Sequence, residues 1–462
     1  MQLVNADDID WKVIQRGVML IANDALKAKL ISRDVHRFLT KDCTGTVRVP
    51  RGTLTIKTHK RVAPHEDPPA QSRFILDTAA YPTTPLATFL SHYLRAPCAA
   101  IEGQLHNTQD FVRLIESKEL PQTVTLITMD VEKFFPNTVV DPNGENVLRT
   151  YMPPELRDLS IRMSRLIHNT LYLLTPIGLY KIPGIYGIGM DHSREVCDLD
   201  WATVEQRVLR AFSHSVRICI ALWGRLVDNY FFALTGSEAE KQEIINAFAT
   251  ADPKRPLTLD RREKEIDFLD ATVFKGHRFR TTGILDLKLF TKPSYSGLHL
   301  PYTSHHPPGT FKSLLRNEHN RSVINHSSRT AHSSYMHLKH KEFQSRGYPK
   351  ELTAEMLLQE TTRKESHWQA ERKRLLTETI ADEVERPVGV LPLKIPYTPR
   401  TEKLQCDKRL KLLSDDISQA NPALSRVSLG RFVLCNLKTA AIQDKIRPNA
   451  YSSHYLPTDV WD

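Results

Sequence analysis

Cysteine is scarce and scattered. Cys43, Cys98, Cys197, Cys219, Cys406 and Cys435 are spread along the whole chain and none forms a C-x-x-C pair. That argues against a disulfide framework and a zinc site, and a reducing compartment is the simplest setting. No apolar run approaches the ~18 residues of a membrane span, so no membrane partner is expected. The first residues, MQLVNADDIDWK, carry acids where a secretory leader needs bases; we expect an intracellular, nuclear protein that is not secreted. There is no internal repeat and no low-complexity tract. What is present, 40% hydrophobic and 25% charged residues, is the make-up of an ordinary globular protein. The length allows roughly two to four structural units. A net charge of +10 favours an anionic partner, nucleic acid first, although charge alone is weak evidence.

The most informative stretch is Thr123–Thr138, TVTLITMDVEKFFPNT. Its apolar, β-branched start predicts a buried strand, and it ends on Asp130. A carboxylate at the end of a buried strand is costly unless a cation meets it. A second stretch, Arg217–Leu234, predicts strand, tight turn and strand, with Asp228-Asn229 at the turn, since Asn beside Asp suits a hairpin needing φ > 0. Side by side, the two elements would bring Asp130 and Asp228 together. Paired carboxylates hold Mg²⁺ through oxygen, with phosphates completing the coordination, and that is the two-metal arrangement of phosphoryl and nucleotidyl transfer. Taken alone, the first run reads better as a buried strand whose Asp caps a turn, and the second as an unrelated surface hairpin; together and in this order they are more specific.

Other segments carry weaker signals. Trp11, Ile14, Val18, Ile21 and Ala25 fall on one helical face. Leu54–Lys60 and Gln71–Leu76 predict two strands joined by a Pro-rich loop, with Lys57, Lys60 and Arg73 suited to phosphate. Two helices are expected over 85–120 and another over Pro153–Leu174. Ile182–Met190 is a Gly-rich loop, with Gly189 near its end, leading into a helix at Ser193–Phe212; glycine allows close backbone approach there. Leu285–Leu300 alternates like two strands. Gly309–Arg346 is rich in base, including Lys312, Arg316, Arg321, Arg329, Lys339, Lys341 and Arg346 against Glu318 and Glu342 only, with five histidines interleaved. On helices this makes a basic stripe suited to a phosphate backbone. A long mixed-charge helix is expected over Glu351–Glu385.

In this order the segments resemble the reverse transcriptases of Penelope-like retroelements. LITMDVEKFFPNT and RLVDNYFF are similar to motifs A and C, and the Gly-rich loop before the helix looks like motif B. Leu54–Lys60 with Arg73 resembles the fingers strands, Ile266–Asp270 the Phe-Leu-Asp stretch that closes the palm, and Lys292-Pro293 the primer-grip turn. Tyr302–Pro308 looks like the entry into the thumb, and Arg346–Pro349 ends that region as the family's Arg-Gly-Tyr-Pro does. The match is a string of motifs over about 50–445. It departs at Asn229, where the family has a second aspartate, at Asp191–Arg194, where small residues and proline are usual, and at Phe74, which replaces a proline. No GIY-YIG or Cys-His nuclease signature follows.

The resemblance implies an α+β right-hand polymerase: N-terminal helices and fingers over 1–122, an antiparallel-sheet palm over 123–308 with an inserted segment about 151–180, a helical thumb over 309–386, and a small C-terminal extension over 387–462. The implied activity is that of an RNA-directed DNA polymerase, extending a primer 3′-hydroxyl on an RNA or DNA template with deoxynucleoside triphosphates. Asp130, Asp228 and Asn229 would form the catalytic centre, with two Mg²⁺, or Mn²⁺ in their place, on Asp130, Asp228 and the Val131 carbonyl. Arg73, Lys57, Lys60, Phe135 and Gly189 would meet the nucleotide, Phe135 as the ring beneath the sugar. Lys292, Lys312, Arg316, Arg321 and Arg329 would meet nucleic acid. The alternatives are a domesticated or degenerate relative that binds nucleic acid with little or no polymerase activity, and a metal-dependent nuclease.

Overall fold

The computed structural model describes residues 2–5, 9–56, 72–175, 178–182, 184, 186–292, 295–362, 365–377, 390–396, 409 and 431–437. They fall in two compact units, one made chiefly of Met1–Leu285, the other of Asp286–Thr291 and the residues from Tyr295 on. Among the described residues no helix is long and apolar enough to cross a membrane.

In chain order the first unit begins with β1 (Gln2–Val4), α1 (Trp11–Lys27), α2 (Arg33–Thr40), β2 (Arg51–Ile56), β3 (Ser72–Asp77), α3 (Thr84–Ala99), α4 (Thr108–Glu116) and β4 (Thr125–Val131). It continues with α5 (Glu145–Tyr151), α6 (Arg157–Asn169), β5 (Tyr172–Thr175), β6 (Gly178–Lys181), α7 (Ser193–Ala211), α8 (His214–Arg217), β7 (Ile220–Leu226) and β8 (Asn229–Leu234). It closes with α9 (Glu238–Ala249), β9 (Leu257–Arg262), β10 (Glu265–Phe268), β11 (Ala271–Phe274) and α10 (His277–Thr282). The α1 face holds: Ile14, Val18, Ile21 and Ala25 are buried, Trp11 sits edge-on to Tyr172, and Asp10 caps the first turn. Ser237 and Glu240 close a capping box at α9, satisfying the free amides there reciprocally.

β4 is an inner strand of an antiparallel sheet ordered β7-β8-β4-β9. It is covered on both faces, which explains why it reads as a continuous apolar run rather than an alternating one. The next strand, β8, shows how the faces divide. Tyr230 and Phe232 stack with Trp223 and meet Phe248 of α9 on one side. Phe231 meets Phe111 of α4 and Phe268 of β10 on the other. Each fully buried ring contributes ~1.5–3 kcal/mol, so this sheet is a stiff platform.

A second sheet, ordered β1-β6-β5-β2-β3, pairs β2 with β3 antiparallel from Arg51↔Asp77 to Ile56↔Ser72. The helix expected to run to Leu174 ends at Asn169, and Tyr172–Thr175 becomes a strand beside β2 and β6. Tertiary pairing there overrides a pattern that short apolar runs leave ambiguous.

The second unit contains β12 (Asp286–Leu289), α11 (Pro308–Asn325), α12 (Arg329–Ser345), α13 (Lys350–Thr362) and α14 (Glu365–Thr377), with β13 (Val390–Pro396) and β14 (Arg431–Leu437) paired in parallel. Phe311, Leu315, Met336, Phe343, Tyr348 and Leu357 form its core. One expectation changes here. Of the two strands expected over Leu285–Leu300, only β12 forms among the described residues. The mixed-charge segment is helical over Lys350–Thr362 and Glu365–Thr377, as far as the described residues cover it.

Gly189 shows why the Gly-rich loop is glycine-rich. Its φ is +102°, and a Cβ added there would lie 2.1 Å from the Leu76 carbonyl oxygen. The Leu76 amide donates to the Ile188 carbonyl at 2.8 Å, and Thr78 Oγ1 donates to the Gly189 carbonyl at 3.3 Å. The close approach is therefore to the end of β3. Gly189→Ala should destabilise the protein by about 2–4 kcal/mol, combining backbone strain and overpacking. Gly184→Ala, whose new methyl would meet Val140 at an ordinary 3.8 Å, should cost under ~1 kcal/mol. Denaturant unfolding of both chains checks the contrast.

Candidate active site

The ladder between β4 and β8 brings the candidate carboxylates together. Asp130 pairs with Asn229, and the Val131 amide donates to the Asp228 carbonyl at 2.8 Å. Asp228 thus lies one residue from the partner of Asp130, at the shared end of two adjacent strands. Asp130, Asp228 and Asn229 are all half-buried. On the other edge Asp130 pairs with Thr258 of β9, whose hydroxyl donates to the Asp130 carbonyl at 3.3 Å.

The turn differs from the expected one. Leu226 pairs with Asn229, so the two turn residues are Val227 and Asp228, and Asn229 is already in β8. The left-handed residue is Val227, with φ +57°, not Asn229. The Asn229 carboxamide instead donates from Nδ2 to Asp228 Oδ1 at 2.9 Å. Asn at this position has a local role that a second aspartate would lack: it orients the neighbouring carboxylate.

Behind the turn lies a buried ionic network that the sequence reading missed. Arg225, 1% exposed, donates from Nη1 to the Val227 carbonyl at 2.7 Å and to Asp198 Oδ1 at 2.7 Å. Its Nε and Nη2 reach the two oxygens of Glu205 at 2.7 and 3.2 Å. Tyr230 donates its hydroxyl to Glu205 and receives a bond from the Trp201 indole. Burial pushes the Glu205 carboxyl up against the pull of Arg225. Burial also opposes the charge on Arg225, but Glu205, Tyr230 and Asp198 outweigh it and hold the guanidinium protonated. A second buried arginine, Arg255, binds Asp200 at 2.7 Å, Asp252 at 2.8 Å and the Thr138 hydroxyl at 3.1 Å, over the Trp201 ring. It ties the loop that follows Asp130 to α7. The available signal was in α7: acids at 198, 200 and 205 lie on a helix that is apolar on several sides, and buried acids need partners.

Phe134 and Phe135 separate by burial. Phe134 is 2% exposed and packs edge-on against Trp201; Phe135 is half-buried. Both lie beyond β4, which ends at Val131, in a turn where Lys133 has φ +52°. The turn, rather than strand alternation, sets their directions.

The remaining candidates fall as follows. Lys57 and Lys60 lie outside the described residues, as does the side chain of Arg73, whose backbone belongs to β3. Lys292 is exposed. Within the second unit Lys312 and Arg316 are exposed on α11, while Arg321, 3.9 Å from Glu318, and Arg329 are half-exposed. Lys339 leaves the expected stripe. It is 2% exposed and bonded to Glu342 and Tyr295 at 2.7 and 2.6 Å, because its helical position faces the bundle. Three of the interleaved histidines, His319, His326 and His332, are buried too.

Among the described residues no cluster of three or more His, Cys, Asp or Glu side chains is arranged around a metal. A divalent ion at Asp130 and Asp228 would therefore take its other ligands from backbone oxygen, water and substrate phosphate, a donor set that suits Mg²⁺.

No family model matches the chain, and no curated protein matches it. Solved structures similar to it include telomerase from Candida albicans in complex with a fragment of telomeric RNA, at 12% identity over 63% of this chain and 54% of that one, with a TM-score of 0.44. Telomerase from Candida tropicalis is similar at 10% identity over 63% and 54%, with a TM-score of 0.36. The RNA-dependent RNA polymerase of a human picobirnavirus is similar at 10% identity over 65% and 59%, with a TM-score of 0.35. The chain spans about half the length of those telomerase chains.

His192, one of the unusual residues after the Gly-rich loop, is buried against Tyr186 and His168, and neither ring nitrogen has a hydrogen-bond partner among the described residues. Burial lowers its pKa to about 4. The unfolded chain, with an ordinary histidine pKa near ~6.5, binds that proton first as the pH falls. The stability His192 contributes is therefore complete above pH ~6.5 and lost as the pH drops through about 4, by at most ~3 kcal/mol. A His192→Asn chain should show a flatter Tm between pH 7 and 4 than the wild type, as measured by calorimetry.

Proposed function

We propose that the protein is a nucleic-acid polymerase of the reverse-transcriptase kind, adding deoxynucleotides to a primer 3′-hydroxyl on an RNA or DNA template. The observation that carries this is the β4–β8 register, which sets Asp130 and Asp228 at one end of adjacent strands. Asp130 and Asp228, with a backbone oxygen such as that of Val131, would hold two Mg²⁺ or Mn²⁺ ions. When bound, such ions lower the pKa of an attacking hydroxyl and neutralise the charge of departing pyrophosphate. Asn229 orients Asp228 through its amide, Arg73 with Lys57 and Lys60 would meet the triphosphate, and Phe135 would lie beneath the sugar. Gly189 acts through the fold, by seating the loop on β3. Lys292, Lys312, Arg316, Arg321 and Arg329 offer positive charge to the template-primer backbone.

A second reading, a nucleic-acid-binding protein that polymerises poorly, is favoured by one feature: Asn229 brings one negative charge fewer than a third carboxylate would. Primer extension on RNA and DNA templates separates the two. Asp130→Ala or Asp228→Ala should reduce extension by several kcal/mol of barrier, more than about a thousandfold, with salt-dependent duplex binding retained. Extension surviving either change near the wild-type rate removes this site. Duplex binding without metal-dependent extension by the wild type leaves the second reading.

Sugar choice tests the role of Phe135. A rigid ring next to C2′ should disfavour ribonucleotides by about ten- to a hundredfold, the equivalent of overpacking by ~1–3 kcal/mol. Phe135→Val should relax this in single-nucleotide incorporation, whereas Phe134→Val should chiefly lower stability. The reverse pattern would make Phe134 the residue near the sugar.

A further inference from the structure

We propose that Arg225 is a positioning residue for Asp228, holding the carboxylate-bearing turn in a conformation its own sequence resists and anchoring it to α7. The inference rests on reading Asp130 and Asp228 as metal ligands. Val227, at φ +57°, is a β-branched residue in the left-handed region, where such residues are genuine outliers. Something outside the turn must hold it there. The Arg225 guanidinium bonds to the Val227 carbonyl at 2.7 Å, and cannot swing away because Glu205 grips Nε and Nη2 while Asp198 grips Nη1. From the other side the Asp228 carbonyl accepts the Val131 amide at 2.8 Å. The turn is thus clamped between β4 and α7.

The same helix begins at Ser193, just beyond the loop seated on β3 by Gly189. One rigid element therefore fixes both that loop and the turn carrying Asp228. Lysine cannot replace Arg225 in this role. A single ammonium lacks the planar fork that serves a carbonyl and two carboxylates at once.

The test uses the full chain with Arg225→Lys, alone and combined with Val227→Gly. Three quantities are read: hydrogen exchange of the Val131 amide, Mn²⁺ affinity by direct titration, and Tm. Arg225→Lys should raise Val131 exchange about tenfold relative to the Leu126–Met129 amides and weaken Mn²⁺ binding by about ten- to a hundredfold, the usual effect of losing an outer-shell partner. Glycine adopts the left-handed conformation without strain. The added Val227→Gly should therefore restore exchange and Mn²⁺ affinity to within about threefold of wild type. Tm should stay low, because Asp198 and Glu205 still lack their partner. If Arg225→Lys does not fold, Glu205→Gln should give the same pattern at smaller amplitude. Unchanged Val131 exchange, or exchange that Val227→Gly does not restore, overturns the inference. Mn²⁺ binding that does not depend on Asp130 and Asp228 overturns the metal reading instead, and the exchange data still decide the clamp.

Discussion

The first unit depends on keeping half-buried carboxylates at the end of a buried sheet. Asp130 and Asp228 sit where β4 and β8 run out, beside a sheet whose faces are filled with aromatic rings. Two like charges in such a place repel each other strongly, because water screens them poorly. The surrounding structure meets this with rigidity. The arginines that hold the region together, Arg225 and Arg255, are buried behind it and bind backbone, hydroxyl and acid.

α7 is the element that makes this possible. It carries Asp198, Asp200 and Glu205 into the interior, together with Trp201, which lies beside both arginine networks. Buried ion pairs are weak evidence of stability, since desolvation cancels much of the Coulomb attraction. Their value here is geometric. A guanidinium gripped by two acids has one orientation, and the carbonyl of Val227 is held accordingly. The Asn229 amide adds a local constraint on the Asp228 side chain. The site is thereby ordered by neutral and cationic donors in a place where a further carboxylate would add repulsion.

The second unit handles charge differently. Lys339 is drawn into the bundle by Glu342, Glu318 and Tyr295, while Lys312 and Arg316 stay on the exposed side of α11. A run of bases in the sequence is thus divided between an internal brace and a solvated face by helical position alone.

Much of this was legible in the chain. Apolar periodicity located α1 and the core of β4, because the pattern of burial is written in residue spacing. Asp130 and Asp228 stood out because carboxylates are rare at the ends of such runs. The turn was misplaced by one residue. Asn and Asp are usual at φ > 0, whereas Val227 takes that conformation only because Arg225 and β4 hold it from outside. The helix expected to reach Leu174 was cut short for a similar reason: its last residues found a partner in β2. Sequence alone determined which residues are apolar, which are charged, and so which segments must be buried. Tertiary structure alone decided which buried acid meets which arginine, which of Phe134 and Phe135 is core, and why Gly189 must be glycine. Those outcomes depend on contacts between residues 20 to more than 100 positions apart, and no local pattern encodes them.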